Sequence, residues 1–396
     1  MAAGIYIHIP FCIRKCHYCD FFSIACDDPE MRKSYAMALL QEISYYGKCY
    51  GKDFVADSVF FGGGTPSLME PELINNIISA LKRNFTITED VEVTMECNPA
   101  TLTPEKLAGY KDAGVNRLSI GVQSLNDEVL EELGRLHTSE DVVKTFKMAR
   151  KAKFDNISLD LMFSVPKQGI RDWRSVVKRT AGLKPEHMSI YSLEIAENTE
   201  FGRRLKNHEM EEQIFSVDRT MYRIALEALR KRGLYRYEIS NVARPGKECR
   251  HNLKYWSLED YMALGAGSHG YIKGVRYSNV SNIENYISMM KNQDLFNLNK
   301  LGDSQSYGAD CVDYYHINSF MDNVSEYTFT ALRTRGGVNF KRFEELFNRS
   351  FWDVYSNERE EFDSYVRSGF AVSDDEHIAL TLDGIDISNR IMAIFV

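Results

Sequence analysis

Short apolar runs alternate with longer segments of helical period through the first 230 residues, and this alternation constrains the fold more than any other feature. The apolar runs have the length of strands and lie at residues 5–9, 58–61, 91–95, 117–120, 157–162 and 187–193. The helical segments lie at residues 29–49, 71–84, 104–113, 139–153, 171–183 and about 210–232. Such alternation predicts a parallel sheet covered by helices, and right-handed crossovers curl six strand–helix units into part of a (β/α)6 barrel.

The pattern changes after about residue 243. A stretch rich in glycine and aromatic residues (251–277) and a polar segment (292–307) come next. Residues 324–396 then predict three helices, a strand pair at 371–372 and 378–380, and a last helix. We therefore expect an α/β protein with a partial barrel at 1–240, a connecting region at 241–310 and a C-terminal α+β winged-helix-like domain at 311–396.

The charge balance and the N-terminus bear on partners and location. The chain has 48 Lys+Arg against 56 Asp+Glu, a net charge of −8. Winged-helix modules often bind DNA, but an acidic chain lacks the positive field that holds phosphates, so no nucleic acid is expected and a DNA-binding regulator is only an alternative. No apolar stretch approaches 18 residues and the first residues do not form a secretory signal, so we expect a cytoplasmic protein.

Three of the eight cysteines are close together: Cys12, Cys16 and Cys19 form a C-x₃-C-x₂-C motif directly after the first predicted strand. Three thiolates on one loop suit an iron–sulfur cluster. A 4Fe-4S cube bound by three cysteines keeps one iron open for another ligand. A zinc site with His17 or Cys26 as the fourth ligand, or three buried cysteines without metal, are the alternatives at this point.

Other polar and glycine positions follow the predicted strands. Gly63, Gly64 and Thr65 end the second strand, where glycine lets the backbone approach a ligand closely. At the third, fourth and fifth strands lie Glu96, Gln123 and Asp160, and Arg135 follows in Leu-Gly-Arg-Leu-His. The carboxyl ends of barrel strands are where ligands bind, so these side chains are expected to meet there.

The segment from Tyr6 through the three cysteines to Phe21 resembles radical S-adenosylmethionine (SAM) proteins, and more narrowly the branch with oxygen-independent coproporphyrinogen III oxidase and the HemW-type haem chaperones. The resemblance implies a 4Fe-4S cluster on the three cysteines, with SAM on its open iron and cleaved to methionine and a 5′-deoxyadenosyl radical. It also implies SAM-binding roles for nine residues, namely Tyr6, Tyr18, Gly63, Gly64, Thr65, Glu96, Gln123, Arg135 and Asp160. The family's Gly-Leu-Pro-Gly-Gln turn is replaced by Ser164-Val-Pro-Lys-Gln168, which puts the path of that loop in question.

Two features separate the oxidase from the chaperone. The oxidase has a further cysteine where this chain has Phe21, and a longer segment before its first strand. In addition, residues 251–256 match the HNxxYW element associated with haem in HemW-type proteins, so His251 is the expected haem ligand, with Cys249 and His269 as rivals. The adjacent aromatic rings are expected to cover a porphyrin face.

The resemblance thus implies a haem chaperone that carries a 4Fe-4S cluster and SAM. Its expected partners are haem, a haem-acceptor protein, an electron donor for the cluster and a second copy of the chain. The expected location is the cytoplasm, with peripheral membrane contact during haem delivery. The alternatives are oxidative decarboxylation of coproporphyrinogen III propionates and another radical SAM reaction on a tetrapyrrole. Whether the chain is an enzyme is left open, and no catalytic residue is assigned.

Overall fold

The computed structural model describes residues 2–296, 298–301 and 308–396. The strands are β1 (Ala3–Ile9), β2 (Phe11–Cys12), β3 (Ile24–Ala25), β4 (Val55–Gly63), β5 (Thr86–Cys97), β6 (Arg117–Gln123), β7 (Ile157–Phe163), β8 (His187–Ser192), β9 (Tyr235–Arg236), β10 (Asn241–Ala243), β11 (Tyr261–Leu264), β12 (His269–Ile272), β13 (Val275–Asn279), β14 (Val312–Ile317), β15 (Val338–Asn339), β16 (Ala371–Ser373) and β17 (His377–Leu380).

The helices are α1 (Pro29–Tyr50), α2 (Pro71–Asn84), α3 (Pro104–Ala113), α4 (Asp127–Glu132), α5 (Ser139–Lys151), α6 (Ile170–Gly182), α7 (Glu200–Lys206), α8 (Phe215–Arg230), α9 (Arg250–Trp256), α10 (Ile283–Asn292), α11 (Phe320–Ala331), α12 (Phe340–Phe347), α13 (Phe351–Val354), α14 (Arg359–Arg367), α15 (Leu382–Asp386) and α16 (Ser388–Met392). None in the described part of the chain is both long and apolar enough to cross a membrane.

Six parallel strands form the centre of one large sheet, in the order β1-β4-β5-β6-β7-β8. These are the six predicted strands, and a helix follows each of them. Within the described residues the sheet ends at β14 on one side and at β9 on the other, so the barrel is partial. The predicted fold class is confirmed.

Helix ends agree with their local chemistry. The Asp28 side chain caps α1 by accepting from the Glu30 amide, with Pro29 in the first turn. Thr103 caps α3 in the same way, and Gly114 ends that helix at φ 106°, in the left-handed region that favours glycine. Because these signals are local, the sequence predicts the ends of both helices to within one residue.

The sheet extends beyond the predicted strands on both sides. β11 lies parallel to β1, and β12, β13 and β14 continue from it as antiparallel strands. On the other side β10 pairs with β8 and β9 with β10, also antiparallel. Part of the predicted polar segment, at 297 and 302–307, lies outside the described residues.

The last part of the chain is a small α+β unit. It contains helices α11 to α14 and an antiparallel sheet in the order β15-β17-β16, whose first strand lies between α11 and α12 in the chain. The predicted strand pair is therefore confirmed as β16 and β17, with β15 as a third strand. The buried side chains of this C-terminal unit belong to the same hydrophobic core as those of the barrel. The domain boundaries at 240 and 310 stay predictions.

Candidate functional site

A cavity of about 1010 Å³ opens where the parallel strands end. It is lined by all three motif cysteines and by all nine side chains or glycines expected to bind SAM. His251 does not line it. The structure thus brings together residues that are separated by more than 150 positions in the sequence, as the barrel predicts.

The cysteine loop is held at both ends. Cys12 ends β2, which pairs with β3, and the Cys26 amide donates to the Cys12 carbonyl at 2.9 Å. Thr65 Oγ1 lies 3.6 Å from Cys12 Sγ, and Arg135 Nη1 lies 3.4 Å from Cys16 Sγ. Burial, reinforced by the charges of the other two motif cysteines, raises the pKa of Cys19 to about 11. The free energy of metal binding would offset the cost of deprotonating these thiols.

The arrangement does not suit a single metal ion. Among the described residues, no three His, Cys, Asp or Glu side chains are gathered so as to hold one. His17, the alternative fourth ligand for zinc, donates from Nδ1 to the Glu132 carbonyl at 2.9 Å. In a 4Fe-4S cube each cysteine binds a different iron, so the thiols line one cavity without meeting at one point.

The end of β4 approaches the cysteine loop so closely that only glycine fits. Gly63 has φ 112°, and a Cβ there would lie 2.6 Å from the His8 ring. A Cβ at Gly64 would lie 2.7 Å from the Phe11 carbonyl oxygen and 3.0 Å from Cys12 Sγ. The two glycines therefore form a side-chain-free surface beside the thiols, where a ligand could reach backbone groups.

Two carboxyl groups give the barrel interior a negative pole. Glu96 Oε2 accepts from the Gly63 amide at 3.2 Å, and burial together with the charge of Asp160 raises the pKa of Glu96 to about 8. Asp160 accepts from the hydroxyls of Ser119, Ser158 and Ser189 at 2.9, 2.8 and 2.6 Å. Burial nevertheless raises its pKa. A cation placed between these groups would relieve both.

Unpartnered polar atoms mark the same wall. Gln123 Oε1 and Arg135 Nε are buried without a hydrogen-bond partner in the described residues. The other Arg135 nitrogens bond Cys16 and the Gly121 carbonyl, the latter at 2.9 Å. Buried polar groups are rarely left unpaired in a complete structure, so a polar ligand fits here. The glycine surface, the acidic pair and these free atoms together suit an aminocarboxylate nucleotide that carries a positive charge, as SAM does.

The two predicted tyrosines flank this wall. The Tyr6 hydroxyl lies 3.1 Å from His8 Nδ1, and burial raises the Tyr6 pKa well above its ordinary value. Burial also raises the pKa of Tyr18, although the nearby Arg135 opposes the shift. Both tyrosines therefore remain neutral phenols at the cavity edge.

The loop after β7 has left-handed backbone at two residues that are not glycine. Ser164 and Lys167, which stand where the turn of the resembling family has glycine, have φ of 62° and 67°. The left-handed conformation costs such residues about 1–2 kcal/mol. The hydroxyl of Ser164 donates to Asp218 Oδ2 at 2.5 Å, which helps to hold this conformation.

The HNxxYW element forms α9, which lies across the amino ends of β1 and β4; we call α9 the floor helix. His251 is 0 % exposed, and a Cβ at Gly4 would lie 2.9 Å from its Cε1. Its Nδ1 bonds Ser58 Oγ at 3.0 Å and its Nε2 bonds the Tyr255 hydroxyl at 2.9 Å. Burial lowers the His251 pKa to about 3.

This placement corrects the geometry expected for His251, because neither ring nitrogen is free and the ring does not reach the cavity. The floor helix instead presents Asn252 and Tyr255 to the cavity. Of the rival ligands, Cys249 is buried with its thiol 3.5 Å from Glu92 Oε1, and His269 is exposed at the start of β12, outside the cavity lining. Both ring nitrogens of the HNxxYW histidine are already bonded, so the identity of the haem ligand stays a prediction.

Several cavity residues come from parts of the chain that the sequence did not assign to the site. They belong to β6, β8, α8 and the C-terminal unit: Arg117, His187, Ser189, Tyr191, Arg219, Arg333 and residues 385–390. The segments Phe329-Thr-Ala-Leu-Arg333 and Asp386-Ile-Ser-Asn-Arg390 resemble the family's C-terminal domain, and this resemblance was the available signal. That residue 390 and the three cysteines line one cavity is a long-range outcome that no local pattern encodes.

Comparison with known proteins agrees with this fold. The family model "Radical SAM superfamily" matches residues 6–180, and the model "HemN C-terminal domain" matches residues 322–387. The structure of coproporphyrinogen III oxidase (HemN) from Escherichia coli superposes with a TM-score of 0.83 over 100 % of this chain and 90 % of that chain, at 20 % identity, which shows a shared fold. The class is therefore that of radical SAM proteins with a HemN-type C-terminal domain.

The sequence relatives narrow the class. Heme chaperone HemW of Bacillus subtilis (strain 168) is 34 % identical over 392 residues, covering 98 % of both chains. Heme chaperone HemW of Escherichia coli (strain K12) is 34 % identical over 267 residues, covering 67 % of this chain and 69 % of that one. The chain belongs to the HemW family.

Proposed function

We propose that this protein binds haem and delivers it to an acceptor protein, and that it carries a 4Fe-4S cluster and SAM. The observation that carries the proposal is the match of 98 % of the chain to a relative named as a heme chaperone. The likeness to coproporphyrinogen III oxidase concerns the fold and does not extend the oxidase's reaction to this chain.

We assign the cluster to Cys12, Cys16 and Cys19 in the predicted barrel region, 1–240. The support is that the three thiols line one cavity, beside a glycine surface that a Cβ would fill. Arg135 donates to Cys16 and Thr65 to Cys12, and such donors stabilise cluster sulfurs and tune the reduction potential. An electron donor is the implied partner for the cluster.

We assign SAM to the adjoining wall. Its amino acid part suits the Gly63–Thr65 backbone, and its positive charge suits the acidic pair of Glu96 and Asp160. Gln123 and Arg135 offer the free polar atoms for its remaining polar groups. With the cluster, bound SAM would supply a 5′-deoxyadenosyl radical; the residues on this wall bind and orient it.

Haem titration of anaerobically prepared protein tests the proposal. We expect saturable binding with a change in the Soret absorption that an unrelated control protein does not give. Haem-loaded protein should then lose haem to an acceptor protein faster than haem dissociates into buffer. Absence of binding above the control would remove the chaperone proposal. The acceptor's identity, a dimer and membrane contact stay predictions.

A further inference from the structure

Arg333 is a charged group on the cavity wall that forms no hydrogen bond or ion pair through its guanidinium within the described residues. It follows α11, in the C-terminal unit, and lines the same cavity as the cysteines. Its Nε is buried and unpartnered. Burial lowers the Arg333 pKa, the charges of Glu194 and Glu238 oppose that shift, and an arginine remains charged. A half-buried guanidinium without a hydrogen-bond partner is costly, so an anion at this position would complete the structure.

Packing holds this guanidinium in place. It lies over the Phe329 ring at 4.6 Å and over the Trp256 ring at 5.9 Å. Trp256 is the last residue of the HNxxYW element, so the floor helix contributes an aromatic support for Arg333. A fixed guanidinium loses little conformational entropy on binding, which favours affinity.

The charges on this wall are mixed. Asp218 and Asp386 neutralise Arg219. The charges of Glu194 and Glu238 act on Arg333, but neither carboxylate forms a hydrogen bond or ion pair with it in the described chain. Arg390 also lines the wall, without an ion pair in the described chain. The cavity therefore has the acidic pair at one region and, at another, two guanidiniums that no carboxylate binds directly.

The chemistry of the wall defines the ligand. A guanidinium fork matches a carboxylate and can bind it through two parallel hydrogen bonds. Phe215, Tyr222 and Ile239 line the cavity nearby and offer flat apolar surface. We propose that Arg333, assisted by Arg390, binds the propionate carboxylates of a tetrapyrrole. This inference rests on the proposed haem function, and it gives that function a place in the molecule.

Arg333→Gln tests the inference, with Arg335→Gln as the matched control, because Arg335 is exposed, two residues away and outside the cavity lining. Removal of one charge-assisted hydrogen-bond pair should raise the Kd for haem roughly tenfold or more. Arg335→Gln should leave it unchanged. Arg390→Gln, at an exposed position where the fold is retained, should raise it about two- to threefold.

Haem dimethyl ester, in which both propionates are esterified, gives the second arm. The wild type should bind the ester about as weakly as Arg333→Gln binds haem, and the substitution should not weaken ester binding further. SAM affinity should be the same in the wild type and in Arg333→Gln. Three results would overturn the inference. The first is equal haem affinity in wild type and Arg333→Gln. The others are a substitution that weakens ester binding as much as haem binding, and a substitution that weakens SAM binding instead of haem binding.

Coproporphyrin III, which has four propionates and no iron, separates this inference from the proposed function. If the wild type binds coproporphyrin III in an Arg333-dependent way but binds no haem, the carboxylate site stands and haem delivery falls. If it binds haem independently of Arg333, the proposed function stands and the carboxylate site falls. If it binds neither tetrapyrrole, both fall.

Discussion

The cysteine-facing wall and the floor helix are both built on conspicuous motifs, yet their polar groups are in opposite states. On the wall, Gln123 and Arg135 keep unpartnered atoms, and burial raises the pKa of both carboxyls of the acidic pair although the charge of Arg117 opposes the shift. In the floor helix, both nitrogens of His251 are bonded and Lys254 is paired with Asp57 and Glu259, although Trp256 Nε1, outside the cavity lining, has no hydrogen-bond partner in the described residues. An unpartnered atom on the cavity wall indicates a binding site, whereas a fully bonded side chain such as His251 indicates a structural role. The comparison therefore separates ligand-binding residues from those that support them.

The largest expected effect is on the wall. Replacement of Cys12, Cys16 or Cys19 by serine should abolish stable binding of iron and sulfide, because a cube held by two thiolates is poorly anchored. The measurement is iron and acid-labile sulfide analysis with an anaerobic absorption spectrum. Cys26→Ser is the control and should keep the cluster; loss of iron from this control as well would contradict the three-ligand assignment.

A smaller effect is expected in the floor helix. His251→Ala removes a fully buried ring with two hydrogen bonds, and should lower the free energy of unfolding by about 2–4 kcal/mol. On the wall, Gln123→Met should change the free energy of unfolding by less than about 1 kcal/mol, because the buried Oε1 has no hydrogen-bond partner to lose. Urea unfolding of both variants checks the contrast. Similar losses in the two would erase the distinction between floor and wall.

The acidic pair should make SAM binding depend on pH. Since the pKa of Glu96 is about 8, its carboxyl is mostly protonated near neutral pH and ionises as pH rises through that value. A cationic ligand prefers the ionised form, so SAM affinity should rise roughly three- to tenfold between about pH 7 and pH 9. Calorimetric titration of wild type and Glu96→Gln is the measurement. The variant should give a flat profile; an equal rise in both would exclude Glu96.

The smallest effect on stability is expected at Tyr255, which belongs to the floor helix and also lines the cavity. Tyr255→Phe removes one hydrogen bond to His251 Nε2 and leaves the ring packing, so it should cost about 1 kcal/mol in unfolding free energy. Chemical denaturation measures this difference. A cost as large as that of His251→Ala would place the stabilising interaction in the phenol rather than in the buried imidazole.

The sequence predicts the parallel half of the fold because its signals are local. Alternating periodicity and caps such as Asp28 and Thr103 locate strands and helices without knowledge of the rest of the chain. The edge strands β9 to β14 are short and gain their stability from neighbours far along the chain, so periodicity did not reveal them. The cavity likewise needed β4, β5, β6 and β7 to lie side by side, which the barrel topology supplied.

The sequence leaves the role of His251 open for a physical reason. The motif shows a histidine among aromatic residues, which fits both a haem ligand and a hydrogen-bonded core residue. The choice depends on Ser58 and Gly4, which lie about 200–250 positions away and fill the two sides of the ring. Arg333 was concealed for a similar reason, because its support by Trp256 comes from another part of the chain and appears only after folding.

The axial-ligand signature of haem in His251→Ala tests the contrast between floor and wall most directly. Resonance Raman and electron paramagnetic resonance spectra of the folded, haem-loaded variant should match those of the wild type, because the imidazole is bonded within the protein. Loss of the wild-type signature, with its recovery on addition of imidazole, would show that His251 binds the iron and would contradict the account.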